Sequence, residues 1–320
     1  QHLVEYLNKE GKYYALYCSL ESAQVFPEPK EGIPEILYNI RYALKYSSLP
    51  NRERFAENVN TGEISTVIKS AITDYCNSLD KPLVILFDEI DALQNGTLIA
   101  FLRQLREGYI TRASIPFPHS VALVGMRNVR DYKAKVREDR QTLGSASPFN
   151  IITKAFTIAN FSLDEIARLF QQHTDASGQV FEKSAIEKVL EYTGGQPWLV
   201  NAVAREIVSE ILINDYTRTV TPELVHQAAQ NIMLRRDMHL DSLLERLKEY
   251  RVQKVIEPLI MGEQIDIDIL ADDTQYCMDL GLIKAENGKI MPANLIYNEV
   301  IIRTLTYDMQ FHLTSTVKNS

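Results

Sequence analysis

The feature that most constrains the fold is a short apolar run, residues 83–87, which leads directly into Asp88 and Glu89. The run, Leu-Val-Ile-Leu-Phe, has no polar position on either face. It predicts a buried central strand of a parallel sheet, because such a strand is covered on both faces. A strand of this kind brings its last residues to the carboxyl edge of the sheet, where α/β proteins bind ligands.

An acidic pair at that edge has a specific chemical use. The first carboxylate holds a Mg²⁺-bound water and the second orients an attacking water, which is the Walker B arrangement of P-loop ATPases. The alternative is a strand that happens to end in two exposed acids. Since Asp-Glu is a common dipeptide, this segment alone leaves both interpretations open.

The first half of the chain alternates between strands and helices. Hydrophobic spacing and the placement of glycine and proline predict a helix over 1–10, a strand over 12–20, a proline-rich loop before a helix near 35–46, a helix over 62–79, the strand at 83–87, a helix over 97–107, a buried strand over 121–126 and a short strand over 154–158. This alternation is typical of a parallel sheet with covering helices.

The second half is mainly helical. Helices are predicted over 162–174, 182–192, 197–213 and 221–235, the first opened by Ser162 and Glu165 as a capping box. From about residue 240, helices and a strand-like segment at 265–270 precede two short strands around Asn287-Gly288, a dipeptide that favours a hairpin. Helices followed by a hairpin predict a winged helix.

Two further segments bear on the acidic pair. The strand at 121–126 ends in Arg127, whose guanidinium could stabilise charge on a terminal phosphate or could be one of several surface cations in a loop. The sequence Thr-Gly-Gly-Gln-Pro-Trp at 193–198 is ordinary punctuation between two helices. Its functional interpretation puts Gln196 and Pro197 against an adenine ring, with Trp198 in the core.

Composition excludes several classes of protein. The chain of 320 residues has a net charge of −8, which disfavours a general nucleic-acid binder. Its three cysteines are far apart, so no pair has metal-ligand spacing and a disulfide framework is not expected. The sequence shows neither a secretion signal nor a membrane span, and the cytoplasm is the expected location.

These motifs together resemble a known family. The strand ending in Asp88-Glu89, the strand ending Val-Gly-Met-Arg at 124–127 and the Gly-Gly-Gln-Pro turn occur in the order found in bacterial AAA+-like ATPases of the STAND-like group, and the resemblance covers about residues 1–306. It implies a P-loop NTPase core (1–158), a helical lid (159–238) and a winged-helix domain (239–320). It also implies ATP and Mg²⁺ as ligands.

Residue roles follow from the same resemblance. Asp88 would serve the metal, Glu89 would polarise water, Arg127 would sense the γ-phosphate, and Gln196 and Pro197 would touch the nucleotide.

One departure from the family pattern concerns the phosphate loop. Gly-x-x-x-x-Gly-Lys-Ser/Thr is absent from residues 1–320. In the family, this loop precedes the helix whose end is expected at 1–10, so truncation before Gln1 is the expectation. Without the loop's amides and lysine, phosphate lacks its main cradle, and this stretch alone is expected to be inactive.

Three functional hypotheses remain open from sequence. The first is a nucleotide-dependent switch ATPase, with self-association or a protein partner engaged through the lid and winged helix. The second is a non-catalytic interaction scaffold with the same fold. The third is a DNA-associated ATPase, but residues 240–320 hold eight Lys and Arg against thirteen Asp and Glu, which disfavours DNA binding by the winged helix.

Overall fold

The computed structural model describes residues 1–55, 63–125, 154, 156–235, 245–261 and 271–304. The chain divides into two compact units, Gln1–Ala155 and Phe156–Ser320. Within the described ranges, no helix has both the length and the apolar character needed to cross a membrane.

The first unit contains a three-stranded parallel sheet and the helices around it. Its helices and strands are α1 (His2–Glu10), β1 (Tyr14–Ser19), α2 (Pro29–Lys45), α3 (Val67–Asn77), β2 (Leu83–Asp88), α4 (Asn95–Thr111) and β3 (Ser120–Leu123). Short 3₁₀ turns follow β1 at Glu21–Val25, α2 at Arg52–Arg54 and β2 at Ile90–Ala92.

The acidic-ended strand is the centre of the sheet. The described strands lie in the order β1-β2-β3, and β2 pairs with both neighbours in parallel. Leu123 is opposite Phe87, and Ser19 is opposite Asp88, so the carboxyl ends of all three strands meet at one edge. The predicted parallel arrangement of 83–87 beside 121–124 is confirmed.

One face of β2 anchors the core of this unit. Leu83, Ile85 and Phe87 are buried among apolar side chains of α2, α3 and α4. The Phe87 ring meets Phe101 edge to face, with centroids 5.1 Å apart. Burial of one such large side chain contributes about 1.5–3 kcal/mol, so the residue directly before Asp88 is firmly fixed.

Several predicted boundaries differ from the structure. The helix expected near 35–46 begins at Pro29, because proline at the first helical position loses no hydrogen bond there. Strand β3, predicted to be buried, is half-exposed at the edge of the three described strands. In the predicted strand 154–158, the described residues have no strand conformation, and Phe156 and Ile158 are exposed.

The second unit is helical and ends in a hairpin. Its elements are α5 (Leu163–Ser177), α6 (Lys183–Thr193), α7 (Pro197–Arg205), a π-helical turn (Glu206–Ile211), α8 (Pro222–Leu234), α9 (Tyr250–Met261), α10 (Asp272–Asp279), β4 (Ile283–Glu286), β5 (Lys289–Pro292) and α11 over 295–304. The π turn interrupts the helix that the sequence predicts to continue through 197–213.

Two local predictions in this unit are confirmed. Ser162 and Glu165 form the capping box at the start of α5, with each side chain bonded to the other's backbone N–H. Strands β4 and β5 are antiparallel around Asn287 and Gly288, which both have the positive φ that a tight hairpin turn requires. The strand-like segment at 265–270 lies outside the described residues.

One apolar core runs through the second unit. It contains residues of the helices before residue 235, such as Val200 and Ile207, and residues after 245, such as Val252, Ile296 and Ile301. The predicted domain boundaries at 158/159 and 238/239 remain a prediction.

Candidate functional site

Asp88 is the last residue of β2, and its carboxylate is held by two donors. The Tyr17 hydroxyl on β1 donates to Oδ2 at 2.7 Å, and the backbone N–H of Glu89 donates to Oδ1 at 3.0 Å. The Asp88 carbonyl accepts from the N–H of Leu20 at 2.9 Å, which extends the ladder beyond the strand. The orientation of this half-buried carboxylate is therefore defined by its neighbours.

The Tyr17–Asp88 hydrogen bond also affects the phenol. This bond, followed by partial burial and the charge of Asp88, raises the pKa of Tyr17 to about 12. Tyr17 is therefore protonated at neutral pH and acts as a donor to the carboxylate.

Glu89 lies at the turn where the chain leaves the sheet. Its backbone is left-handed, with φ 57° and ψ 41°, a conformation rarely adopted by residues other than glycine and often found at functional sites. Its side chain is exposed at the carboxyl edge. Loss of hydration, then the negative charges of Asp88, Glu21 and Asp91, raise its pKa above the ordinary value.

The chain leaving β3 passes directly beside this turn. Val124 donates its N–H to the carbonyl of Phe87 at 2.8 Å, and Ile90 donates to the carbonyl of Val124 at 3.1 Å. A Cβ added at Gly125 would lie 2.4 Å from Asp91 Oδ2, so only glycine fits there. Arg127, two residues further on, lies outside the described residues, and its role stays a prediction.

The donor set at this edge fits one kind of metal. Among the described residues, no three His, Cys, Asp or Glu side chains are grouped to hold a metal ion. Mg²⁺ does not require such a group, because it usually keeps several waters and binds one or two carboxylates plus phosphate oxygens. Asp88 offers one oriented carboxylate of the type that Mg²⁺ uses.

The Gly-Gly-Gln-Pro turn is tightly built within the second unit. Gly194 and Gly195 have φ of 57° and 74°. A Cβ at Gly195 would lie 2.0 Å from the carbonyl oxygen of Phe161, while the Phe161 N–H donates to the Gly195 carbonyl at 2.8 Å. A Cβ at Gly194 would lie 2.8 Å from the carbonyl oxygen of Ala293, just after the hairpin.

Gln196 and Pro197 start helix α7. The Gln196 side-chain oxygen accepts the N–H of Leu199 at 2.6 Å, and Pro197 occupies the first helical position. Trp198 is partly buried against the core. The helix-punctuation interpretation accounts for these contacts, and contact of Gln196 and Pro197 with a nucleotide stays a prediction.

The structure brings Asp88 and Glu89 together in the first unit and Gln196 and Pro197 together in the second. Sequence reasoning missed Tyr17 and Gly125. The signal for Gly125 was its place between a strand and Arg127. Tyr17 gave no signal of its own, because its bond to Asp88 depends on which strands are neighbours and in which register.

Comparison with solved structures supports the fold. The Walker-type ATPase PABY2304 of Pyrococcus abyssi is similar with a TM-score of 0.55 and 13% identity, over 90% of this chain and 84% of that one. The Aeropyrum pernix ORC2 protein is similar with a TM-score of 0.49 and 14% identity, over 97% and 83%. A Thermotoga maritima RuvB variant has a TM-score of 0.38 and 14% identity, over 70% and 71%.

The sequence itself identifies the family. None of the curated proteins matches it. The family model for the AAA-like domain matches residues 67–302, which include β2, the acidic pair, the Gly-Gly-Gln-Pro turn and the hairpin. The parallel α/β core described above is of the P-loop ATPase type. The chain belongs to the AAA-like domain family.

Proposed function

We propose that the protein is an ATP-binding, STAND-like switch ATPase of the AAA+ type, in which nucleotide is held between the α/β core and a helical lid. Membership of the AAA-like family suggests ATP binding and a hydrolytic function. The observation that carries the proposal is the oriented Asp88 carboxylate at the carboxyl end of the central strand, with Glu89 directly beside it.

Each residue of the proposed site has a distinct role. Asp88 would hold Mg²⁺, which bridges phosphate oxygens and neutralises charge that develops during phosphoryl transfer. Glu89 would accept a hydrogen bond from the attacking water, and its raised pKa fits a group held in an acidic environment. Arg127 would contact the terminal phosphate, and Gln196 with Pro197 would contact the base.

The phosphate cradle is not assigned to residues 1–320, because they contain no Gly-x-x-x-x-Gly-Lys-Ser/Thr. The proposal therefore assigns to these residues the metal, water, sensor and base contacts only. Experiments that need ATP accordingly use the product of the complete gene.

The second unit would transmit the nucleotide state. In this proposal residues 159–238 are the lid and 239–320 form a winged helix. Two observations support it: both segments share one core, and the Gly194 backbone contacts the carbonyl of Ala293 after the hairpin. A change at the Gly-Gly-Gln-Pro turn would therefore reach the hairpin through packed backbone. A protein partner or a second copy would receive the change.

DNA binding is disfavoured as the role of the winged helix. Helix α10 begins with Asp272 and Asp273, and the segment 240–320 has a net charge of −5. Arg251, a cation near this helix, pairs with Asp273 at 3.2 Å and lies over the Tyr276 ring. Phosphate binding needs cations that remain available.

Asp88→Asn tests the metal role. We expect the variant to bind ATP at least about tenfold more weakly than wild type in Mg²⁺, because a neutral amide is a poorer metal ligand, and equally in EDTA. Fluorescence titration with a labelled ATP analogue measures both. Asp80→Asn is the matched control, since Asp80 also accepts from a β1 tyrosine, Tyr14, but at the opposite end of the strand.

Equal Mg²⁺-dependent affinity in the wild type and Asp88→Asn would reject the metal role. Absence of any Mg²⁺-dependent ATP binding by the wild type would instead favour the non-catalytic scaffold.

A further inference from the structure

Tyr17 reaches Asp88 because of the register of the two strands. On β1, Tyr17 is opposite Leu86 and Ser19 is opposite Asp88. Side chains alternate along a strand, so Tyr17 and Asp88 lie on the same face, one step apart along the sheet. A tyrosine spans this diagonal, and its hydroxyl lies 2.7 Å from Asp88 Oδ2.

The two donors to Asp88 come from different directions. Glu89 N–H fixes Oδ1 from within the turn, and Tyr17 fixes Oδ2 from the neighbouring strand. The terminal torsion of an aspartate is broad when nothing restrains it. With both oxygens bonded, the carboxylate plane is set, and each oxygen keeps a lone pair for a further ligand.

We propose that Tyr17 is a positioning residue that holds the Asp88 carboxylate in the orientation required to receive Mg²⁺. The inference rests on the proposed function, since it takes Asp88 as the metal carboxylate. Groups that orient a metal ligand without touching the metal commonly change metal affinity by about 10–100-fold when they are removed. Tyr17 makes no contact with the metal or the reacting phosphate in this proposal.

The chain supplies its own control for a simple structural effect. Tyr14, on the same strand, donates to Asp80 Oδ1 at 2.8 Å, so β1 carries two tyrosine–aspartate bonds of nearly equal length. Tyr14 and Tyr17 are both half-buried. Only the Tyr17 bond lies at the carboxyl edge beside Glu89. Loss of either bond affects strand packing alike, and loss of the Tyr17 bond alone affects the metal site.

The test compares Tyr17→Phe, Tyr14→Phe and Asp88→Asn in the product of the complete gene. Fluorescent ATP binding is titrated with Mg²⁺, and the Mg²⁺ concentration for half-maximal binding is recorded. We expect Tyr17→Phe to raise this concentration roughly tenfold, with nucleotide affinity at saturating Mg²⁺ unchanged. Tyr14→Phe is expected to match wild type, and both phenylalanine variants to melt at similar temperatures.

The outcomes separate the inference from the proposed function. If Asp88→Asn removes the Mg²⁺ dependence and Tyr17→Phe behaves as wild type, the positioning role is overturned while the metal role of Asp88 stands. An equal shift in Tyr14→Phe and Tyr17→Phe would also overturn it, because packing would then explain both. If wild-type binding does not depend on Mg²⁺ or Asp88→Asn leaves the dependence intact, the proposed function fails and the inference fails with it.

Discussion

Replacement of Glu89 by glutamine is expected to slow ATP hydrolysis by about 10²–10⁴-fold and to leave ATP affinity nearly unchanged. The substitution keeps the size of the side chain and removes the carboxylate that would orient and deprotonate the attacking water. Glu89 lies in a strained left-handed turn beside the metal carboxylate, so its side chain starts from a fixed backbone position. Single-turnover phosphate release by the product of the complete gene measures the rate.

Glu21→Gln is the matched control for this experiment. Glu21 begins the turn after β1 and contributes negative charge at Glu89, so its substitution removes the same unit of charge nearby. It is expected to change the rate only a few-fold, because long-range charge effects at exposed positions are screened. Hydrolysis at the wild-type rate in Glu89→Gln, or equal losses in the two variants, would contradict the role assigned to Glu89.

Gly195→Ala is expected to destabilise the second unit by about 3 kcal/mol or more. An L-residue in the left-handed conformation costs about 1–2 kcal/mol, and overpacking typically adds about 1–3 kcal/mol. At Gly195, both terms apply, because φ is 74° and the new Cβ would lie 2.0 Å from the Phe161 carbonyl oxygen. A backbone atom cannot rotate away as a side chain can. Urea unfolding followed by helical circular dichroism measures the loss.

Gly178→Ala separates the two causes. Gly178 has a φ of 79° and no atom within 4 Å of an added Cβ, so only the conformational cost applies. Its expected loss is about 1–2 kcal/mol. If the two variants lost equal stability, the close packing of the Gly-Gly-Gln-Pro turn against Phe161 would be wrong.

Local patterns in the sequence predicted much of this fold. Five apolar residues before Asp88 indicated a central strand, and β2 has that place between two parallel neighbours. The Ser162–Glu165 capping box and the Asn287-Gly288 hairpin were also predictable, because a few adjacent residues contain all the contacts that define them. Such features depend on sequence separation of only a few residues.

Features that depend on distant residues were not predictable. The prolines near residue 30 indicated a loop, but Pro29 begins α2 and Gly32 packs closely against Thr97, 65 positions further along the chain. The Tyr17–Asp88 bond joins residues 71 positions apart and depends on the register of β1 and β2. The half-exposure of β3 likewise depends on its place at the edge of the described strands.

The central claim is that one nucleotide contacts both the acidic edge of the sheet and the Gly-Gly-Gln-Pro turn. Hydrogen–deuterium exchange of the complete gene product, with and without MgATP, tests it directly. The account predicts slower exchange in peptides covering both 87–92 and 194–199, and loss of both effects in Asp88→Asn. Protection of neither segment, or of only one of them, would contradict the claim that nucleotide is held between the core and the helical lid.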